Sequence, residues 1–134
     1  MPATRTPRDR LPAHIEHARA RAEVLVDTDA VRRAIDRVSI RVSLDLQAAN
    51  PLLLVVMHGG LPFAGELIRR LAFPLEYGYL HVGRYGTATR GGELRWHAQP
   101  SYDLTGRTVL LVDDVLDRGT TLAALREWAR AGGA

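Results

Sequence analysis

The sequence predicts an α/β fold, a central parallel sheet flanked by helices. Three observations predict it. Leu52–Met57 is a run of six apolar residues and Val109–Val112 a run of four. Continuous apolarity, in place of alternation, marks strands buried on both faces, as in a parallel sheet. Around these runs apolar residues recur at three- and four-residue spacing, so buried strands alternate with amphipathic helices.

A length of 134 residues with 46% apolar side chains suits one compact globular domain. The 18 basic residues are all arginine and face 15 acidic ones, for a net charge of +3. Apart from RTPRDR near the start they are scattered, so the charge argues against a nucleic-acid surface. The absence of cysteine excludes disulfides and thiolate chemistry and suits a reducing, cytoplasmic setting. No apolar stretch reaches membrane-spanning length, and the polar, arginine-rich start lacks the apolar core of a secretory signal. Neither a membrane anchor nor a membrane partner is expected.

Residues 1–12, with Pro2, Pro7 and Pro12 among arginines, read as a flexible N-terminal arm, and 13–134 as the core domain. His14–Ala22 reads as a short helix leading into the apolar run Val24–Val26. Asp27, Thr28 and Asp29 then offer caps for a longer helix. On it Val31, Ile35, Val38, Val42 and Leu46 form the stripe that would face a core, and Asn50-Pro51 ends it. After the Leu52–Met57 strand, His58-Gly59-Gly60 turns the chain into a helix, Leu61–Leu71. Leu75–Tyr85 and Glu93–Ala98 read as the two arms of a long hairpin, with the polar, glycine-rich tip Thr87–Gly92 between them. The Val109–Val112 strand is followed by a helix over Thr120–Arg130, with Gly132 at its C-cap. Two parallel strands make a small sheet, and the chain stops just after a helix. The architecture is therefore expected to be truncated at its C-terminus.

The stretch VLLVDDVLDRGTTLA, Val109–Ala123, carries the chemistry. Asp113, Asp114 and Asp117 crowd together at a strand end despite mutual repulsion. In an open parallel sheet that is where ligands bind. Asp117-Arg118-Gly119-Thr120-Thr121 opens a helix, where backbone N–H groups, the positive helix end and two hydroxyls suit a phosphate. Glycine lets backbone approach the anion. The carboxylates suit sugar hydroxyls or a hydrated Mg²⁺. Acid on one side and anion-loving amides on the other match a phosphorylated sugar. By residue type alone, the same stretch also reads as an acidic strand end followed by a capped helix.

The stretch resembles the diphosphoribosyl-binding signature of type I phosphoribosyltransferases: four apolar residues, two acids, two apolar residues, Asp, any residue, Gly, any residue, Thr. VVMHGGLPFAGELIRRL, Val55–Leu71, is similar to the segment of the hypoxanthine-guanine branch in which a buried strand ends in a Lys-Gly pair. There the pair carries a cis peptide and its backbone contacts pyrophosphate. His58-Gly59 takes that place here; His58 also reads simply as a turn residue, and Glu66 as a solvated or capping charge. Arg84-Tyr85 precedes the hairpin tip where the family has a Ser-Tyr pair on a mobile lid, and an ordinary exposed hairpin is the plainer reading.

The resemblance implies the type I phosphoribosyltransferase fold with a long flexible hairpin loop. It also implies a purine salvage reaction, in which hypoxanthine or guanine plus PRPP gives IMP or GMP plus pyrophosphate. Asp113 and Asp114 would hold the ribose hydroxyls and a water-linked Mg²⁺. Arg118, Gly119, Thr120 and Thr121 would cradle the 5-phosphate, and Asp117 would exchange a proton with purine N7. His58 and Gly59 would meet pyrophosphate, and Arg84 and Tyr85 would belong to the lid. Arg118 stands where threonine is frequent, and Arg84 where serine is usual. Family features that follow this region lie beyond Ala134: a lysine reading the purine oxygen, a stacking aromatic, a metal-binding acid and an arginine for pyrophosphate. The chain is thus expected to be a fragment, and self-association is expected from its open sheet. A PRPP-binding regulatory protein, or a phosphoribosyltransferase for another base, fits the same residues.

Overall fold

Strand β1 (Leu52–Val56) lies inside a four-stranded sheet in the computed structural model, which describes residues 11–84 and 94–134. The other strands are β2 (Glu76–Arg84), β3 (Leu94–Ala98) and β4 (Val109–Val112). Their spatial order is β3-β2-β1-β4. β1 runs parallel to both neighbours, with Leu54 opposite Gly78 on one side and Leu111 on the other. β2 and β3 pair antiparallel as the arms of the expected hairpin, with a register shift between His81 and Val82. The sheet is therefore mixed, parallel at its centre with an antiparallel edge. Tyr85 and the hairpin tip lie outside the described residues, as does most of the expected N-terminal arm.

The chain divides into two compact units, residues 1–31 and 32–134. In the first, helix α1 (Ala13–Arg21) has no buried residue, and Val24, Leu25 and Val26 are exposed despite being apolar. Asp27 accepts the Ala30 N–H at 2.6 Å through Oδ1, an N-cap for helix α2 (Thr28–Leu46).

In the second unit the buried positions of α2 are Ile35 and Ser39. The inward line runs through Ser39 and leaves Val38 exposed, so the apolar stripe predicts the helix but not its rotation. Ser39 tolerates burial because its hydroxyl donates to the Asp36 carbonyl at 2.8 Å. Helix α3 spans Gly60–Ile68, shorter than expected. Arg70 N–H and Leu71 N–H bond three residues back, to Leu67 and Ile68, so the helix closes in a tighter turn. Arg70 then reaches Asp36 on α2 at 2.6 Å and Glu66 at 2.7 Å. Glu66 is thus an ion-pair partner, and its hydrogen bond from Arg70 holds its carboxyl below the ordinary value of 4.5.

Alternate residues of β1 point to opposite faces, and both faces are covered. Leu52, Leu54 and Val56 pack with Leu80, Leu104, Leu125 and Ala129, which joins the sheet to helix α4 (Thr120–Ala131). Trp96 on β3 and Trp128 on α4 extend that layer, their rings 5.0 Å apart. Leu53 and Val55 pack with Ala64 and Leu67 of α3 and with Val112. Every β1 side chain is at most 5% exposed. At the end of α4, Gly133 N–H donates to Arg130 O and Ala134 N–H to Ala129 O. This paired closure needs a left-handed residue, and Gly133 supplies it with φ of +94°. Gly132 itself is right-handed, and its role is close packing on Leu104. Outside the strands, Tyr102 lies over Gly78, where a Cβ would stand 2.5 Å from the ring, and its hydroxyl donates to Tyr77 O at 3.3 Å.

Two outcomes follow for stability. Leu54→Ala should cost about 2–5 kcal/mol in urea unfolding, while Ile40→Ala on the exposed face of α2 should stay within about 0.5 kcal/mol. Glu66 contributes stability that is fully present above pH 4.5 and is lost as pH falls through its lowered folded value. Arg70→Ala should therefore flatten the fall in melting temperature on acidification below that pH, measured by thermal unfolding across a pH series.

Candidate functional site

Because β1 and β4 are adjacent and parallel, their carboxyl ends leave the sheet on the same side, and two turns meet there. The turn after β1 holds His58, Gly59 and Gly60. The turn after β4 holds Asp113 to Gly119. Two glycines make the meeting possible. A Cβ on Gly59 would stand 2.7 Å from both carboxylate oxygens of Asp114. A Cβ on Gly60 would stand 2.8 Å from Val112 O and 3.2 Å from Asp113 Cα. The Gly-Gly pair is thus a packing requirement as well as a flexure. The peptide bond joining Met57 to His58 is cis, so the cis bond enters the His58-Gly59 pair and does not lie within it.

The acidic residues separate into two roles. Asp114 is exposed and faces the Gly59 backbone. Asp113 is half-buried and lines a cavity of about 140 Å³ together with Val115, Leu116, Asp117, Arg118, Gly119, Thr121 and Leu122. Asp113 accepts the Asp114 N–H at 2.9 Å through Oδ1. Burial pushes the Asp113 carboxyl above its ordinary value, against the lowering effect of that hydrogen bond. Asp117 and Arg118 are exposed on the cavity rim.

Gly119 opens α4 with φ of +70° and ψ of +2°, in the left-handed region. No side chain caps the helix there, while the Gly119 carbonyl accepts the Ala123 N–H at 2.8 Å. A helix start capped by glycine brings its amide donors and positive end to the cavity wall without a competing side-chain acceptor. Such a wall can receive an anion. Val115 and Leu116 are exposed beside it, giving the cavity mouth an apolar side suited to a flat or ring-shaped group.

The structure thus brings together Asp113, Asp117, Arg118, Gly119 and Thr121 around one cavity, with His58 and Gly59 across from Asp114. Thr120 begins α4 and is absent from the cavity lining. Arg84 closes β2, opposite Leu94, and Tyr85 is outside the described residues. Among the described residues no three His, Asp or Glu side chains form a metal cage. Sequence reading missed two residues near the site. His81 on β2 lies with its ring 4.5 Å from that of His58, and His97 on β3 lies 4.7 Å from His81. Their only sequence signal is that each occupies a strand of the hairpin; the contact spans distant positions.

The sequence pattern of the phosphoribosyl transferase domain family matches residues 22–134. The chain belongs to this family, whose members are enzymes of a kind that uses a metal ion. Among its relatives, the hypoxanthine-guanine phosphoribosyltransferase of Streptococcus pneumoniae is 32% identical over 107 residues, which is 78% of this chain and 59% of that protein. The crystal structure of L. donovani hypoxanthine-guanine phosphoribosyl transferase superimposes with a TM-score of 0.74 at 27% identity, covering 84% of this chain and 66% of that one. A variant of the Trypanosoma cruzi hypoxanthine phosphoribosyltransferase, complexed with the product IMP, gives a TM-score of 0.75 at 23% identity, covering 84% and 62%. The chain spans about three fifths of the length of the curated hypoxanthine-guanine phosphoribosyltransferases it matches. The type I phosphoribosyltransferase fold expected from the sequence is the fold observed. No helix among the described residues is long and apolar enough to cross a membrane.

Gly119→Ala should destabilise the chain by about 1 kcal/mol, because alanine pays for a left-handed φ that glycine adopts freely. Gly59→Ala should instead spare secondary structure and displace the Asp114 carboxylate. Circular dichroism melts together with the side-chain carboxyl resonance of Asp114 in NMR check the pair.

Proposed function

We propose that this chain is the phosphoribosyl-binding part of a purine salvage phosphoribosyltransferase, which converts hypoxanthine or guanine and PRPP into IMP or GMP and pyrophosphate. One observation supports the reading above all. A half-buried acid, an exposed acid and a glycine-capped helix start surround one small cavity, and a second turn packs directly against the acids. A phosphorylated pentose has hydroxyls for the acids and a phosphate for the helix start. The hypoxanthine-guanine names of the relatives favour a purine as the acceptor base.

In this reading Arg118, Gly119, Thr120 and Thr121 hold the 5-phosphate. The Arg118 side chain adds positive charge at the rim, where the cavity is otherwise acidic. Asp113 and Asp114 accept hydrogen bonds from the ribose hydroxyls. The same two carboxylates suit a hydrated Mg²⁺: Mg²⁺ keeps several waters and needs only one or two protein carboxylates. The absence of a three-ligand cage among the described residues is consistent with such a partly water-held ion. When bound, Mg²⁺ offsets the negative charge that grows on pyrophosphate as it leaves.

His58 and Gly59 serve the pyrophosphate end, and their closeness to Asp114 keeps the two ends of the donor in one register. Asp117, exposed on the rim beside Val115 and Leu116, moves a proton to or from purine N7 as the base attacks ribose C1. Arg84 and Tyr85 belong to a lid that excludes water from the oxocarbenium-like transition state. A cytoplasmic homo-oligomer suits this role, since the open sheet edge offers unpaired backbone groups to a second copy.

The test is pyrophosphate release, by the longer protein of which this chain is the proposed part, with PRPP, Mg²⁺ and either hypoxanthine or guanine. Turnover is expected, and none with any common nucleobase refutes the assignment. Asp117→Asn should lower kcat about 100-fold or more while the KM for PRPP changes less than about threefold. A loss carried by KM alone would remove Asp117 from the proton-transfer role.

A further inference from the structure

His81 stands between two other imidazoles. Its ring centroid is 4.5 Å from that of His58 in an edge-to-face arrangement at 66°, and 4.7 Å from that of His97 at 33°. The three residues come from the turn after β1, from β2 and from β3, so the stack runs from the hairpin to the turn that packs on Asp114. Offset and edge-to-face ring pairs at such separations attract, and they fix the tilt of each ring.

The hairpin makes room for the stack. A Cβ on Gly83 would stand 2.7 Å from His97 Nε2, so only glycine there leaves the His97 ring where it is. Burial, and next the neighbouring His58 and His97, hold the proton affinity of His81 below the ordinary 6.5. At neutral pH the central ring is an uncharged aromatic wedge between two more exposed imidazoles. His58 has no helix or strand of its own to hold it: it sits between β1 and α3, and is exposed.

We propose that His81, backed by His97, is a positioning residue that fixes the His58 imidazole for contact with the diphosphate end of the phosphoribosyl donor. The inference rests on the reading of His58 and Gly59 as the pyrophosphate turn. An imidazole on a bare turn must give up its rotational freedom on each binding event. A ring already tilted by its neighbour has given it up beforehand. The effect belongs to the diphosphate end alone, since nothing in the stack lines the cavity at Asp113 to Leu122.

Two probes separate the ends of the site, Mg²⁺-pyrophosphate and ribose 5-phosphate, each titrated calorimetrically. His81→Ala should weaken pyrophosphate about threefold to tenfold, the size of a lost aromatic pair, and leave ribose 5-phosphate unchanged. His81→Phe, which keeps a ring at 81, should recover the affinity to within about twofold. Gly83→Ala, which displaces His97 and leaves the other rings in sequence, should also weaken pyrophosphate; it carries the test if His81→Ala does not fold. Unchanged pyrophosphate affinity in these variants, equal loss of both probes, or no recovery by phenylalanine overturns the positioning role. If the unsubstituted protein binds ribose 5-phosphate but not pyrophosphate, this inference falls and the phosphoribosyl reading of the acidic turn stands. If it binds neither, both fall.

Discussion

Strand β1 is covered on both faces and paired on both edges, and none of its side chains is more than 5% exposed. A strand in that position holds only apolar residues, and the helical crossover through α3 that follows it makes β2 its parallel neighbour. Parallel pairing with β4 brings two carboxyl ends side by side. The two turns that follow must then share a small space. Burial in the centre thus sets where chemistry can occur at the rim.

That shared space explains the composition of both turns. Gly59 and Gly60 have no side chain because Asp114 and the β4 backbone occupy the room a Cβ would take. One of the acids is partly buried, at an energetic cost visible in the raised Asp113 carboxyl, to which the neighbouring Asp114 charge adds least. Such a cost is the usual sign of a functional site and not of optimised folding. The structure also distributes the acids: one lines the cavity, one touches the opposite turn, and one stands on the rim.

Much of this was legible in the residues. Continuous apolar runs gave β1 and β4 to within a residue; in β1 double-sided burial leaves a strong compositional trace, whereas β4 lies at the sheet edge with only Val112 fully buried. The signature around Asp113–Thr121 runs along one cavity; a glycine between acids and hydroxyls where a strand passes into a helix is the part of that arrangement a sequence can display. What stayed hidden depends on contacts between distant positions. Ser39 is buried where Val38 was expected, because the rotation of α2 about its axis, about 100° for one residue, is fixed by packing partners and not by the stripe itself. Glu66 gave no hint that Arg70 would bind it together with Asp36 from another helix. The imidazole stack joins residues 23 and 16 positions apart, and periodicity along a chain carries no information about such pairs.

The two faces of β2 are treated differently. Tyr102 presses on Gly78 from the side of Leu80, while the imidazoles gather at His81 on the other side. The hairpin is therefore clamped at its base from above and below, like a cantilever set into a wall. The ring contacts from His97 through His81 to His58 thus join the hairpin's outer arm to the turn beside Asp114 without passing along the backbone.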